Sequence, residues 1–290
     1  MIWPFKRNRR KQLARIEVTG AIAGSTRKRV LKALKTVKER KYPGLLLRID
    51  SPGGTVGDSQ EIYDALRELG KTVKIVASFG NISASGGVYI AMGAHHIVSN
   101  PGTITGSIGV IIRGNNLERL LDKVGVSFKV IKSGPYKDIL SFDRELTTEE
   151  RTILQSLIDD SYEQFVNTVA TGRNLPSETV KTFADGRIFT GAQAKEMGVV
   201  DRLGSEAEAK RWLAELVKLD PEKVDVTTIE EKKPLLSRIM DSRVDSGLDW
   251  MGFELETNGV PLWLYRPYQK SFSEASLVPG QRAWVMAQNF

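Results

Sequence analysis

The chain has 290 residues, long enough for one large or two ordinary domains with a substantial core. It has no cysteine and only two histidines, His95 and His96, so disulfides, thiolate metal sites and cysteine nucleophiles are excluded and a multi-histidine metal site nearly so; hydrophobic residues at 41% and charged residues at 27% exclude bulk disorder. The net charge of +7 is almost wholly that of Lys6, Arg7, Arg9, Arg10, Lys11 and Arg15, which argues against a nucleic-acid-binding face on the remaining, nearly neutral chain.

In chain order, residues 1–14 read as a basic tail. Its apolar part, Met1 to Phe5, precedes the charges and is too short for a secretory h-region. No stretch approaches the ~20 apolar residues of a membrane-spanning helix, so the expected location is cytoplasmic or peripheral at a bacterial membrane. From Arg15 to Leu203, short β-type runs alternate with amphipathic stretches, the pattern of an α/β fold with mainly parallel strands. The predicted strands are Arg15–Thr19, Leu45–Ile49, Val73–Ser78, His96–Val98, Ile108–Ile112 and Ser127–Ile131. Several are nearly continuous apolar runs, as strands covered on both faces require. Helices are predicted at 26–40, 57–69, 86–94, 116–124, 148–171, 176–184, 190–196 and 204–217, with Thr147 and Glu150 forming a capping box before the longest. Residues 230–290, which hold Trp250, Trp263 and Trp284, show no clear periodicity; they read as an aromatic-containing C-terminal extension over the body, a neighbour or a membrane.

Four clusters of small residues fall at or beyond predicted strand ends: Ser51-Pro52-Gly53-Gly54, Asn81-Ile82-Ser83-Ala84-Ser85-Gly86-Gly87, Thr105-Gly106-Ser107-Ile108-Gly109 and Ser133-Gly134-Pro135-Tyr136-Lys137. In parallel α/β sheets, sites form outside the carboxyl ends of strands. Ser85 is the candidate nucleophile, since it lies between a strand and a helix whose first N–H groups lack intrahelical partners. The Gly86 N–H faces an oxyanion there, and the Gly53-Gly54 pair can supply a second donor. Serine needs a base. His95 and His96 stand 10 and 11 residues beyond Ser85, which at helical rise is roughly 15 Å away, against the ~3 Å that proton transfer requires. A lysine with a depressed pKa is the remaining base, and Lys137, after a Gly-Pro turn, is the candidate, although a solvated surface lysine has the same local signature.

These four segments in this order, with 22 residues from Ser85 to Ser107 and 52 from Ser85 to Lys137, resemble the bacterial signal peptide peptidase A family over residues 15–205. The resemblance implies a Ser/Lys peptidase domain at 15–229 on the Clp-protease/crotonase-like α/β fold, with repeated β-β-α units. It implies Ser85 as nucleophile, Lys137 as general base, Ser107 as the residue that positions the lysine, and Gly54 and Gly86 as oxyanion donors, with no metal or organic cofactor. The single motif set is similar to that of half-length members, which implies a homo-oligomer, an octamer whose sites combine the serine of one subunit with the lysine of the next. Implied substrates are cleaved signal peptides and other apolar segments at or near membranes. Two departures stand out: the anchor that many members carry is not seen, and Val88 occupies a position where an aromatic residue is frequent. Met1 to Phe5 with the basic run could form an interfacial foot on anionic lipid in place of the anchor. Two rival readings stay open on the sequence, a crotonase-type acyl-CoA enzyme and an inactive oligomeric membrane scaffold.

Overall fold

The computed structural model describes residues 11–229 and the backbone of 262–264. The basic foot and nearly all of the C-terminal extension lie outside the described residues. The main sheet runs in the order β7 (Ile188–Thr190), β6 (Ile104–Gly106), β4 (Lys74–Ala84), β2 (Gly44–Ser51), β1 (Gln12–Thr19) and β9 (Asp225–Thr228). β5 (His96–Ser99) also pairs with β4, and β8 (Arg202–Leu203) with β5. Within this sheet every pairing is parallel except β6 with β7.

Alternation along the central strands explains their continuous apolar sequence. Leu45, Leu47 and Ile49 of β2 face the larger core with Ala14, Ile16 and Val18 of β1 and Ile75, Ala77 and Phe79 of β4. Leu46, Leu13 and Val76 point the other way, into a smaller cluster. Helices α1 (Gly24–Glu39), α2 (Val56–Gly70), α3 (Gly86–Ala91) and α5 (Thr148–Arg173) cover the first face through Val30, Leu34, Ile62, Leu66, Phe165 and Val169. α8 (Glu206–Leu216) covers the second through Ala209, Leu213 and Ala214. With apolar burial on both faces at ~25 cal/mol per Å², the sheet can carry few polar side chains, as its sequence indicates. The remaining helices are α4 (Glu118–Val124), α6 (Ser177–Lys181) and α7 (Gly191–Glu196). The capping box of α5 is present: Thr147 Oγ1 accepts from Glu150 N at 3.1 Å and Glu150 Oε2 accepts from Thr147 N at 2.9 Å.

Two predicted strands are not formed. The chain is a strand at Ile104–Gly106, not at Ile108–Ile112, because Gly106 (φ 86°) and Ser107 (φ 50°) turn out of the strand conformation before the apolar run begins. Ser127–Ile131 forms no strand among the described residues, and Phe128, Val130 and Ile131 stand exposed. β1 begins at Gln12 rather than Arg15. The short strands β3 (Gly53–Thr55), β7, β8 and β9 have too few residues to show a period in the sequence.

Candidate active site

The first loop of the site is shaped by Ser51 at the end of β2. Its hydroxyl donates to Gly20 O at 2.6 Å and accepts from Gly53 N at 3.1 Å, which pins the turn through Pro52. Beyond it β3 lies against Ile22: Ile22 N donates to Gly53 O at 2.8 Å, and Thr55 N donates to Ile22 O at 2.9 Å. Successive residues of a strand direct their amides to opposite edges. With residues 53 and 55 committed to Ile22, the Gly54 N–H therefore faces the other edge. Along that edge runs β10 (Leu262–Leu264), antiparallel, with the backbone of Trp263 opposite Gly54.

The second loop follows β4. Asp50 holds its approach by accepting from Ile82 N at 3.1 Å and Asn81 Nδ2 at 3.3 Å. The first half of β4 pairs with β5, and Ile82–Ala84 pairs with β6. Ser85 then caps α3 with φ 53° and ψ −117°, a conformation that costs a non-glycine residue on the order of 1–3 kcal/mol. The surroundings hold it there: Ser85 N donates to Gly106 O at 2.8 Å, and Ser85 O accepts from Tyr89 N at 3.0 Å. The sequence marks this elbow by its position between strand and helix, but not by the strain, which only the backbone angles reveal.

Gly86 lies against Gly54. A Cβ on Gly86 would stand 3.1 Å from Gly54 N and 3.3 Å from Gly53 Cα, so the two glycines expected to stabilise an oxyanion are neighbours. Ser107, next to Gly106, is fixed by a bond from its N–H to Arg187 O at 2.7 Å. Ser85 and Ser107 line one cavity of about 380 Å³. Its other walls include Gly109, which belongs to the third small-residue cluster, with Val110, and also Tyr162, Asp159 and Asp185, which no motif in the sequence marks. Asp185 is held down to about 2, chiefly by its hydrogen bond from Arg187. Burial pushes the Tyr162 hydroxyl up.

No lysine or histidine lines this cavity among the described residues. Lys137 sits in an exposed turn, with its N–H donating to Gly134 O at 3.3 Å, and belongs to a segment rich in exposed apolar side chains. The structure thus joins Ser85, Ser107, Gly54 and Gly86, and does not bring Lys137 of the same chain into the cavity. The histidines take structural parts. His95 Nδ1 accepts from Ile75 N at 3.0 Å, and His96 stacks on Trp212 with ring centroids 4.2 Å apart. Burial lowers the pKa of both.

Comparison with known proteins agrees with this architecture. The Clp protease family model matches residues 7–100 and the Peptidase family S49 model residues 67–220. The chain is 69% identical over 277 residues to a protein named as a protease in Synechocystis sp., covering 92% of this chain and 100% of that relative. It is 36% identical over 261 residues to a protein named signal peptide peptidase SppA in Enterococcus faecium, covering 86% of this chain and 75% of that one. A solved membrane-bound stomatin-specific protease, a serine-to-alanine mutant, superposes with a TM-score of 0.52 at 15% identity, over 77% of this chain and 99% of that chain, a likeness of fold. With a mainly parallel Clp-protease-type sheet and these matches, the chain is a member of peptidase family S49.

Proposed function

We propose that this peptidase is a serine endopeptidase with a Ser/Lys dyad completed between copies of the chain. The observation that carries the reading is the cavity itself: it holds the strained Ser85 and Ser107 but, among the described residues, no lysine or histidine, while Lys137 is displayed on an exposed apolar segment. A base delivered by a neighbouring subunit satisfies both facts. In this reading the neutral Lys137 amine of the adjacent copy takes the proton of the Ser85 hydroxyl, and Oγ bonds to the scissile carbonyl carbon. The carbonyl oxygen gains the electron pair and lies between the Gly54 and Gly86 N–H groups. The ammonium then protonates the leaving amine, and the amine regenerated in that step draws a proton from the water that hydrolyses the ester. Ser107 holds the amine in place.

The antiparallel β10 occupies the Gly54 edge of β3, and in this reading a substrate would take its place as an added strand with its carbonyl at Gly54, which suits an unfolded peptide rather than a folded protein. Val110 and Ile111 on the cavity wall favour apolar residues there, consistent with signal peptides and other apolar segments as substrates. Among the described residues no helix is long and apolar enough to cross a membrane, so work at a membrane surface would be peripheral for this part of the chain. An octamer is the assembly we favour.

The test is a product map on a panel of apolar peptides. Wild type cleaves internally and is labelled by a serine-reactive fluorophosphonate. Ser85→Ala lowers turnover by at least about 1,000-fold and is not labelled. Undiminished cleavage by Ser85→Ala contradicts the proposal.

A further inference from the structure

The backbone of residues 262–264 lies on the edge of β3 that carries the Gly54 N–H, in the register Leu262 with Thr55, Trp263 with Gly54 and Leu264 with Gly53. A strand residue sends its N–H and its C=O to the same edge. Gly54 is bridged to Ile22 in parallel through the neighbouring Gly53 O and Thr55 N, so both backbone groups of Gly54 itself face β10. In an antiparallel ladder, opposed residues alternate between pairs that exchange both N–H···O bonds and pairs that exchange none. Gly54 and Trp263 are therefore an exchanging pair: the Gly54 N–H is directed at the Trp263 carbonyl, and the Trp263 N–H at the Gly54 carbonyl. The amide that the proposed reaction needs for its oxyanion is thus taken up by a carbonyl of the same chain.

We propose that β10 is a tethered inhibitor of the site, a strand of the chain itself that holds the substrate's place on β3 and leaves before a peptide binds there. The inference rests on the proposed reaction, with Ser85 as nucleophile and Gly54 as oxyanion donor. Strand addition draws its affinity from main-chain bonds, so the chain's own segment and a substrate peptide compete for the same groups. The ladder is only three residues long, and a peptide that pairs over a longer stretch displaces it. Attachment to the body makes its binding intramolecular, at an effective concentration set by the connecting chain, which lets so short a strand compete. An occupant that excludes substrate without altering the bound complex raises the apparent KM and leaves kcat as it is.

The chain has no cysteine, so one engineered pair reads the register in the full-length protein. Thr55 and Leu262 oppose each other as a non-exchanging pair, whose Cα atoms lie ~4.5 Å apart, within the range a disulfide spans. Thr55→Cys/Leu262→Cys should form a disulfide within one chain on oxidation. The oxidised protein should cleave apolar peptides at least about 10-fold more slowly than the same protein reduced, and reduction should restore cleavage. Neither single cysteine variant should respond to the oxidant. Trp263→Pro, which removes the N–H directed at Gly54, should lower KM about threefold or more with kcat within about twofold of wild type. A synthetic peptide of residues 258–268 should inhibit this variant competitively. If Trp263→Pro alters the particle, the disulfide arm stands alone, with its reduced form as reference. Equal cleavage by the oxidised and reduced forms, disulfides formed only between chains, or an unchanged KM in a well-assembled Trp263→Pro overturns the proposal. So does release from wild type of a fragment beginning at Leu264, which marks β10 as a substrate. Full activity in Ser85→Ala would instead remove the reaction on which the inference stands, while disulfide formation, read by mass, still reports whether β10 lies on β3.

Discussion

At Gly54 the backbone has no space for a methyl group, since a Cβ would stand 1.8 Å from Ile22 O. Gly54→Ala must therefore displace β3 from Ile22, and we expect it to lose both activity and about 1–3 kcal/mol of stability in denaturant unfolding. Gly86→Ala differs, because the tightest contact of its Cβ is with Ser59 Oγ. Removing that oxygen in the double variant Gly86→Ala/Ser59→Ala should recover stability relative to Gly86→Ala alone. The same residue-scale reasoning applies to Ser85, whose φ of 53° and ψ of −117° suit glycine better than any other residue. Both Ser85→Gly and Ser85→Ala should be inactive. The glycine variant should be the more stable of the two by about 1 kcal/mol, and an alanine variant equal to or above it in denaturant unfolding contradicts the strain argument. The position of the candidate nucleophile between a strand and two glycines was legible in the sequence; the contact of Ser59 Oγ with Gly86 was not, because a serine on an amphipathic helix carries no sign of what its hydroxyl meets.

The segment after β6 is where sequence pattern and chain conformation part. Ile108–Ile112 and Ser127–Ile131 have the apolar content of strands, but a strand also needs an edge to pair with, and Ile131 is 102% exposed. In contrast, the central strands and all the predicted helices appear within a few residues of expectation, because their periodicity is satisfied inside the chain itself. The Lys137 turn is nevertheless well anchored. Asp138 accepts from Lys132 Nζ at 2.6 Å and from Arg144 Nη2 at 2.9 Å, and Arg144 Nη1 also donates to Glu150 at 2.8 Å. Arg144 is the main cause holding both carboxyls below their usual range, Glu150 at about 2. A carboxyl whose folded pKa is depressed stabilises the fold above its unfolded pKa of ~4 and loses that contribution as pH falls toward the folded value. The melting temperature should accordingly decline between about pH 4 and pH 2, and Glu150→Gln should flatten that decline; identical profiles for the two proteins would exclude this network as its source.

For the whole molecule, the proposed shared site would account together for a Ser127–Ile131 segment that forms no strand among the described residues, for the exposed Phe128 and Ile131, and for a cavity that holds Ser85 with no lysine or histidine among the described residues. Replacing both side chains, Phe128→Glu with Ile131→Glu, should shift the particle in light scattering toward the 32.2 kDa of one chain and abolish cleavage without unfolding it. An unchanged particle mass would place the interface elsewhere. The sequence alone could suggest this assembly only through its resemblance to a family, since no pattern within one chain encodes where another copy sits. The most direct measurement mixes two inactive proteins, Ser85→Ala and Lys137→Ala, under conditions in which subunits exchange. Hybrid particles place an intact Ser85 from one chain beside an intact Lys137 from the other, so peptide cleavage should return to a substantial fraction of the wild-type rate. Verified exchange with no recovery would contradict a site shared between subunits.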